Sequence, residues 1–279
     1  MKHFVLACLV LVLAFPAVRG SPTDAAIVAA MKLTEAPNYS WVTSVDDDAR
    51  SYDITGQTNL AGPGDFSLVD LPMVAAVRRR VPSRGSANSD NQVTAIYTGD
   101  EKYVIQTPDG WKKPDELSQT SRGESTNQRG GSAGGGFGGK RGRRGAGGGE
   151  RGPVPPYSNL QTSLSRPHEE IGIIIAGYTD IKTEGDVVSG TLSEISARLL
   201  LVHAGQSEVT PLRASGTFRL WITNGVLTKY ELKLEGRLAV ITRGDRREVD
   251  VHETATTQLK DVGKTKFEVP DEARKKLGG

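Results

Sequence analysis

The chain has 279 residues, with 35 Lys and Arg against 33 Asp and Glu, so it is nearly neutral at a formal charge of +2. Its only cysteine is Cys8, inside an N-terminal leader, which excludes from the mature chain a disulfide, a thiolate nucleophile and a thiolate metal site. Stability must then come from an apolar core, which the about 259 residues after the leader are enough to build.

Residues 1–20 read as a secretory signal peptide: Lys2 is the positive start, Phe4–Ala17 the apolar run and Val18-Arg19-Gly20 the exit before Ser21. The run is shorter than the ~20 residues a bilayer span needs. Cys8 sits within it rather than at its end, so the leader is not read as a lipidation signal. No later stretch approaches transmembrane length, and the product is expected to be periplasmic or secreted.

Ser21–Glu35 carries helix-start chemistry followed by a stripe of Ile27, Val28 and Met31. Asn38–Asp46 and Arg50–Leu60 read as strands around Asp46-Asp47-Asp48. Phe66–Arg80 is apolar and then basic, with Pro72 placing it at an edge or bend. Gln92–Thr98 and Lys102–Thr107 form a hairpin across Gly99-Asp100.

Composition then changes. Leu117–Tyr157 holds 14 of the 33 glycines and almost no apolar residues, and is read as a disordered Gly/Arg linker. It divides an N-terminal part, 21–116, from a C-terminal part, 158–279, of one α+β domain. Pro167 with Glu169 and Glu170 starts a helix with a stripe of Ile171, Ile174, Ile175 and Tyr178. Short strands Thr179–Thr183 and Val187–Leu192 follow, then a helix capped by Ser193 whose apolar face is Ile195, Leu199 and Val202.

Asn224-Gly225 between two alternating runs is a strong hairpin signal, because both turn positions need φ > 0. Beyond it Val226, Tyr230, Leu232, Leu234, Leu238 and Val240 share one parity, and Lys229, Glu231, Lys233, Glu235 and Arg237 the other. Trp221 lies on the opposite parity from Phe218, Leu220 and Ile222. Arg247–Leu259 alternates likewise, and Pro270-Asp271-Glu272 starts a terminal helix. Strands with one polar face predict an antiparallel sheet solvated on one side, with helices on the other.

Motifs for chemistry are weak. Gly134-x-Gly136-x-x-Gly139 and the near phosphate loop ending in Lys140 sit in a polyglycine tract without the strand and helix they require. Asp46-Asp47-Asp48 reads as a solvated turn rather than a calcium loop. The four histidines lack zinc spacing, and Glu169-Glu170 is explained by helix-start electrostatics alone. No nucleophile elbow is present, so no catalytic residue, metal site or cofactor is expected. In the linker Arg129, Lys140, Arg141, Arg143 and Arg144 resemble RGG-type segments. Export and the single Phe137 argue against nucleic acid, leaving an anionic envelope surface as electrostatic partner, or a plain soluble spacer.

The order of parts resembles the periplasmic lipoprotein-carrier (LolA-like) superfamily, which includes lipid-binding exported lipoproteins. An N-terminal helix leads into a Tyr39-x-Trp41 strand, hairpins, central helices, a long meander and a closing Phe267-Glu268-Val269-Pro270-Asp271-Glu272-Ala273. From Pro167-His168-Glu169-Glu170 to Leu277 the chain also resembles exported bacterial proteins of about this length. The resemblance implies α+β architecture: a curved antiparallel sheet, an open half-barrel, with short amphipathic helices covering a concave apolar face that holds acyl chains. In such carriers a basic residue beneath the roof holds it shut, and no position here matches it. The Gly/Arg insertion and the missing lipidation box depart from the family pattern.

Two functions follow as expectations. The first is a non-enzymatic binding protein for a lipid or other hydrophobic ligand, contacted by Trp41, Tyr97, Tyr103, Phe218, Tyr230, Leu232 and Leu234. The second is a structural domain in which these side chains are packed core, with the Gly/Arg segment as tether.

Overall fold

The computed structural model describes residues 22–48, 50–61, 65–72, 92–99, 102–117, 165–202, 209–242 and 245–278. The leader at 1–20, the basic stretch at 73–80 and the tract at 118–157, with Arg129, Lys140, Arg141, Arg143 and Arg144, lie outside these residues.

In chain order the elements are α1 (Pro22–Glu35), β1 (Asn38–Asp47), β2 (Arg50–Asn59), β3 (Phe66–Pro72), β4 (Gln92–Thr98), β5 (Tyr103–Thr107), β6 (Gly110–Lys112), α2 (Pro167–Ala176), β7 (Tyr178–Glu184), β8 (Val187–Leu192), α3 (Glu194–Leu201), β9 (Val209–Thr223), β10 (Val226–Thr242), β11 (Asp245–Lys260) and α4 (Asp271–Leu277). The described strands make one open antiparallel sheet in the order β6-β5-β4-β3-β2-β1-β11-β10-β9-β8-β7. Two meanders therefore join at a single seam, β1 against β11, with Trp41 opposite Leu259 and Val45 opposite Ala255. That seam makes one apolar inner face out of strands more than 200 residues apart. The expected α+β open sheet is the architecture present.

The β9–β10 hairpin, as long a pairing as β10–β11, turns at Asn224 and Gly225 with φ of 53° and 70°. Tyr230, Leu232, Leu234 and Leu238 point inward as alternation requires. A register shift between Leu227 and Lys229 changes the expected order at the turn: Leu227, not Val226, enters the core. Trp221 leaves the core, as its parity demands, and its ring carries the Lys229 ammonium 4.3 Å from the centroid.

Helices α1 and α3 differ from their expected faces. On α1 the buried positions are Ala26, Ala29, Ala30 and Leu33, while Val28 and Met31 are about half exposed. On α3 Ser196, Ala197, Leu200 and Leu201 are buried, and Ile195 and Leu199 are exposed. On α1 small side chains let the helix lie closer to its neighbours, so its alanine face packs and Val28 and Met31 turn outward, whereas the inner face of α3 keeps Leu200 and Leu201. Helix α2 stops at Ala176, two residues before the stripe ends, and Tyr178 opens β7 instead.

The outer face is not wholly solvated, contrary to the expectation of one wet side. Ile96, Val104 and Trp111 point away from the inner face and pack with Val269, Ala273 and Leu277 of the C-terminal segment and α4. Glu272 of α4 accepts the Trp111 backbone N–H at 3.2 Å, and Lys276 pairs with Glu116 at 2.6 Å.

Gly56 has no room for a side chain. Trp41 faces it across the β1–β2 ladder, and a Cβ on Gly56 would overlap the indole ring. Gly56→Ala is therefore expected to destabilise the fold by about 1–3 kcal/mol, because the ring must leave its rotamer. A urea midpoint unchanged from the parent would contradict this packing.

Candidate functional site

Helices α1, α2 and α3 lie side by side over one part of the inner face, where α1 packs on β7, β9 and β10, and α3 on β8, β9 and β10. Ile171 and Ile174 of α2 are fully buried beneath it. The apolar inner face itself continues beyond, through Trp41, Ile54, Val69, Leu71, Val93, Tyr97, Tyr103 and Ile105 on β1–β5.

All seven residues expected to line a ligand site fall in this one inner cluster. They are closed off from solvent: Tyr230 is 0% exposed, Phe218 and Leu232 2%, Leu234 3%, Trp41 4%, Tyr103 6% and Tyr97 8%. Tyr97 and Tyr103 stack on each other with centroids 5.5 Å apart, and Phe218 meets Tyr178 edge-on at 6.4 Å.

A half-open cleft of about 190 Å³ lies on the opposite, outer face, across β11, β1, β2 and β3. Ser40, Val42, Gln57, Leu68, Asp70 and Lys260 are among its lining residues, and of the seven expected contacts Trp41 alone reaches it. It is smaller than the ~300–1,000 Å³ usual for ligand pockets.

What sequence reasoning missed is how the roof is held. The N-terminal turn of α2 is tied to the sheet by two buried phenols. Tyr39 of β1 lies 2.6 Å from His168 Nδ1 and accepts from the His168 backbone N–H at 3.4 Å. The Tyr39 hydroxyl and Nδ1 share one hydrogen bond, and the imidazole tautomer decides which of them donates. Tyr230 of β10 donates to Glu170 Oε2 at 2.6 Å. Burial raises the pKa of both phenols, so each keeps its proton at neutral pH. Glu170 is thus more than a favourable charge at a helix start.

Each phenol continues into a hydroxyl chain across an otherwise apolar interior. Thr58, beside Tyr39, accepts from Trp41 Nε1 at 3.2 Å and shares a hydrogen bond with Ser67 at 3.1 Å. Thr257, beside Tyr230, pairs with Thr43 at 2.7 Å. Three of the four buried polar side chains among the described residues belong to these two chains.

Arg166, just before α2, completes the cluster. Burial works against the Glu169 carboxylate, but hydrogen bonds from the Arg166 guanidinium and backbone N–H outweigh it and hold its pKa low. Burial, and then the charge of Arg166, push the His168 imidazole down to about 4, so it is neutral at pH 7. The unfolded chain takes up this proton first, near pH 6.5, so the stability tied to His168 is whole above about 6.5 and is lost as pH falls toward 4. His168→Gln, which keeps a hydrogen-bond partner for Tyr39, is expected to flatten the stability profile in that window. Urea unfolding from about pH 7 down to 4 measures it, and an unchanged slope would contradict a buried neutral imidazole.

No family model matches the chain, and no curated protein matches it in sequence. Among solved structures it is similar to LprF from Mycobacterium bovis, at 9% identity and a TM-score of 0.43 over 90% of this chain and 97% of that one. It is similar to the Mycobacterium tuberculosis lipoprotein LppX at 8% and 0.41, over 88% and 97%. A DUF1329 family protein from Desulfovibrio piger aligns at 7% and 0.28, over 90% and 94%.

Proposed function

We propose that this chain is an exported, non-enzymatic binding protein for a lipid or other hydrophobic ligand, held between the sheet and its helices. The observation that carries the reading is the size of the apolar inner face. It runs as one cluster from Tyr97 and Tyr103 on β4 and β5 to Val188 and Leu192 on β8, while the helices over it are only 14, 10 and 8 residues long. Burying so much apolar area behind so light a roof suits a surface that exchanges one cover for another. Trp41, Tyr97, Tyr103, Phe218, Tyr230, Leu232 and Leu234 would contact the ligand once α2 lifts.

Export rests on the leader read in residues 1–20, and no described helix is long and apolar enough to cross a membrane. In the same reading Arg129, Lys140, Arg141, Arg143 and Arg144 touch an anionic envelope surface. A form lacking residues 122–152 should bind anionic vesicles less well at low salt, and equal binding would remove that role.

A second reading, a permanently packed structural domain, draws on the near-complete burial of the same side chains. Native mass spectrometry of protein purified from a periplasm separates the two. The binding reading expects an added mass that organic extraction removes and identifies as lipid. A bare polypeptide mass, with no uptake of a fluorescent fatty acid, would favour the packed domain.

A further inference from the structure

The cluster beneath α2 contains one group whose chemistry is incomplete. Arg166 Nη2 is committed to Glu169, but Nη1 is buried and has no hydrogen-bond partner among the described residues. A buried charged donor without an acceptor is among the more costly defects a fold can carry, and it calls for an oxygen atom.

The surrounding charges restrict which oxygen that can be. Asp65 and Glu169 both act on Arg166. His168 is neutral there. Two carboxylates thus act on one guanidinium, and a carboxylate or phosphate head would enter against a net negative charge in a part-buried, weakly screened site. An uncharged acceptor meets Nη1 without that repulsion. Tyr39, which packs at this cluster, is also part of the apolar inner face, so a head at Arg166 leaves its chain in contact with that face.

We infer that, resting on the lipid-binding reading above, Arg166 Nη1 donates to an uncharged oxygen in the ligand's head, an ester carbonyl or hydroxyl of the kind an acylglycerol carries. Asp65 and Glu169 turn away heads that bear a carboxylate or a phosphate.

The test uses lipid-stripped protein loaded with diphenylhexatriene, an uncharged apolar probe. Displacement is compared for monoolein, oleate and oleoyl lysophosphatidate, which share one chain and differ in the head. Monoolein should displace at about tenfold lower concentration than either anion, the effect of roughly one hydrogen bond plus the avoided repulsion. Arg166→Met removes the donor and leaves the carboxylates, so it should raise the monoolein concentration needed by about tenfold while the probe still binds, with circular dichroism reporting the fold. Arg166→Lys keeps a positive charge at the helix start but loses the forked donor, and should weaken monoolein likewise. Asp65→Asn lowers the repulsion and should bring the two anions toward monoolein. Equal potency of the three lipids in the parent, better displacement by an anion, or unchanged monoolein potency in a folded Arg166 variant would overturn the inference. A parent protein that binds the probe but shows no preference refutes the head-group assignment alone. One that binds neither probe nor lipid refutes the binding reading, and this inference with it.

Discussion

Replacing Leu232 with Asp is expected to unfold the protein, not to leave a folded form that has lost its ligand. Leu232 lies between Phe218 on β9 and Ala255 on β11 and is 2% exposed, so no rotamer takes a carboxylate to water. Burying an unpaired charge costs several kcal/mol, against a total stability of about 5–15 kcal/mol for a domain. Leu232→Ala, which removes volume alone, should cost about 2–5 kcal/mol and leave a folded chain on which m-values can be compared. Circular dichroism and urea titration of the pair decide it. A folded Leu232→Asp protein that melts like the parent and fails only in ligand uptake would place Leu232 on the wall of a water-filled cavity.

The second large effect concerns the two phenols that hold α2. Tyr230→Phe removes a donor from a carboxylate, worth about 1.5–3 kcal/mol, and Tyr39→Phe removes a neutral hydrogen bond worth about 1 kcal/mol. Both changes keep the rings and their packing, so loss should fall on the roof before the sheet. The double variant should lose about 3 kcal/mol of stability, and amide exchange along 171–176 should accelerate by about two orders of magnitude while β10 stays protected. It should also take up hydrophobic ligand faster, because the closed form is what the phenols favour. If α2 exchanges no faster than in the parent, the hydrogen bonds to His168 and Glu170 do not hold the roof.

The strands were legible because a period of two is a local signal. Lys233 and Leu234 differ in solvation wherever the strand lies, and Asn224-Gly225 specifies its turn without outside help. The buried faces of α1 and α3 were not legible, since Val28 and Ile195 are as apolar as residues that are buried. On α1 the stripe that turned inward depended on how closely its alanine face could approach the sheet. Leu227 replaced Val226 through a one-residue register shift that parity counting cannot see. The seven expected contact residues were found as apolar residues on strands, which placed them inside without saying whether the interior opens. The polar cluster stayed hidden for a different reason. Tyr39 and His168 are 129 residues apart and Tyr230 and Glu170 are 60 apart, so neither pairing has a sequence pattern. Glu170 already had a sufficient local explanation at the start of a helix, and nothing in the sequence pointed past it.

The central claim is that the apolar interior opens beneath α2 to hold a hydrophobic ligand. Titration of lipid-stripped protein with a fluorescent long-chain acyl probe tests it most directly, read together with amide exchange over 167–176. The account predicts saturable, one-to-one uptake that unlabelled lipid reverses, with exchange in α2 changed by the ligand and faster uptake in the Tyr39→Phe, Tyr230→Phe double variant. Folded protein that takes up no probe in either form, with α2 exchange unaffected, would contradict it and leave a packed structural domain.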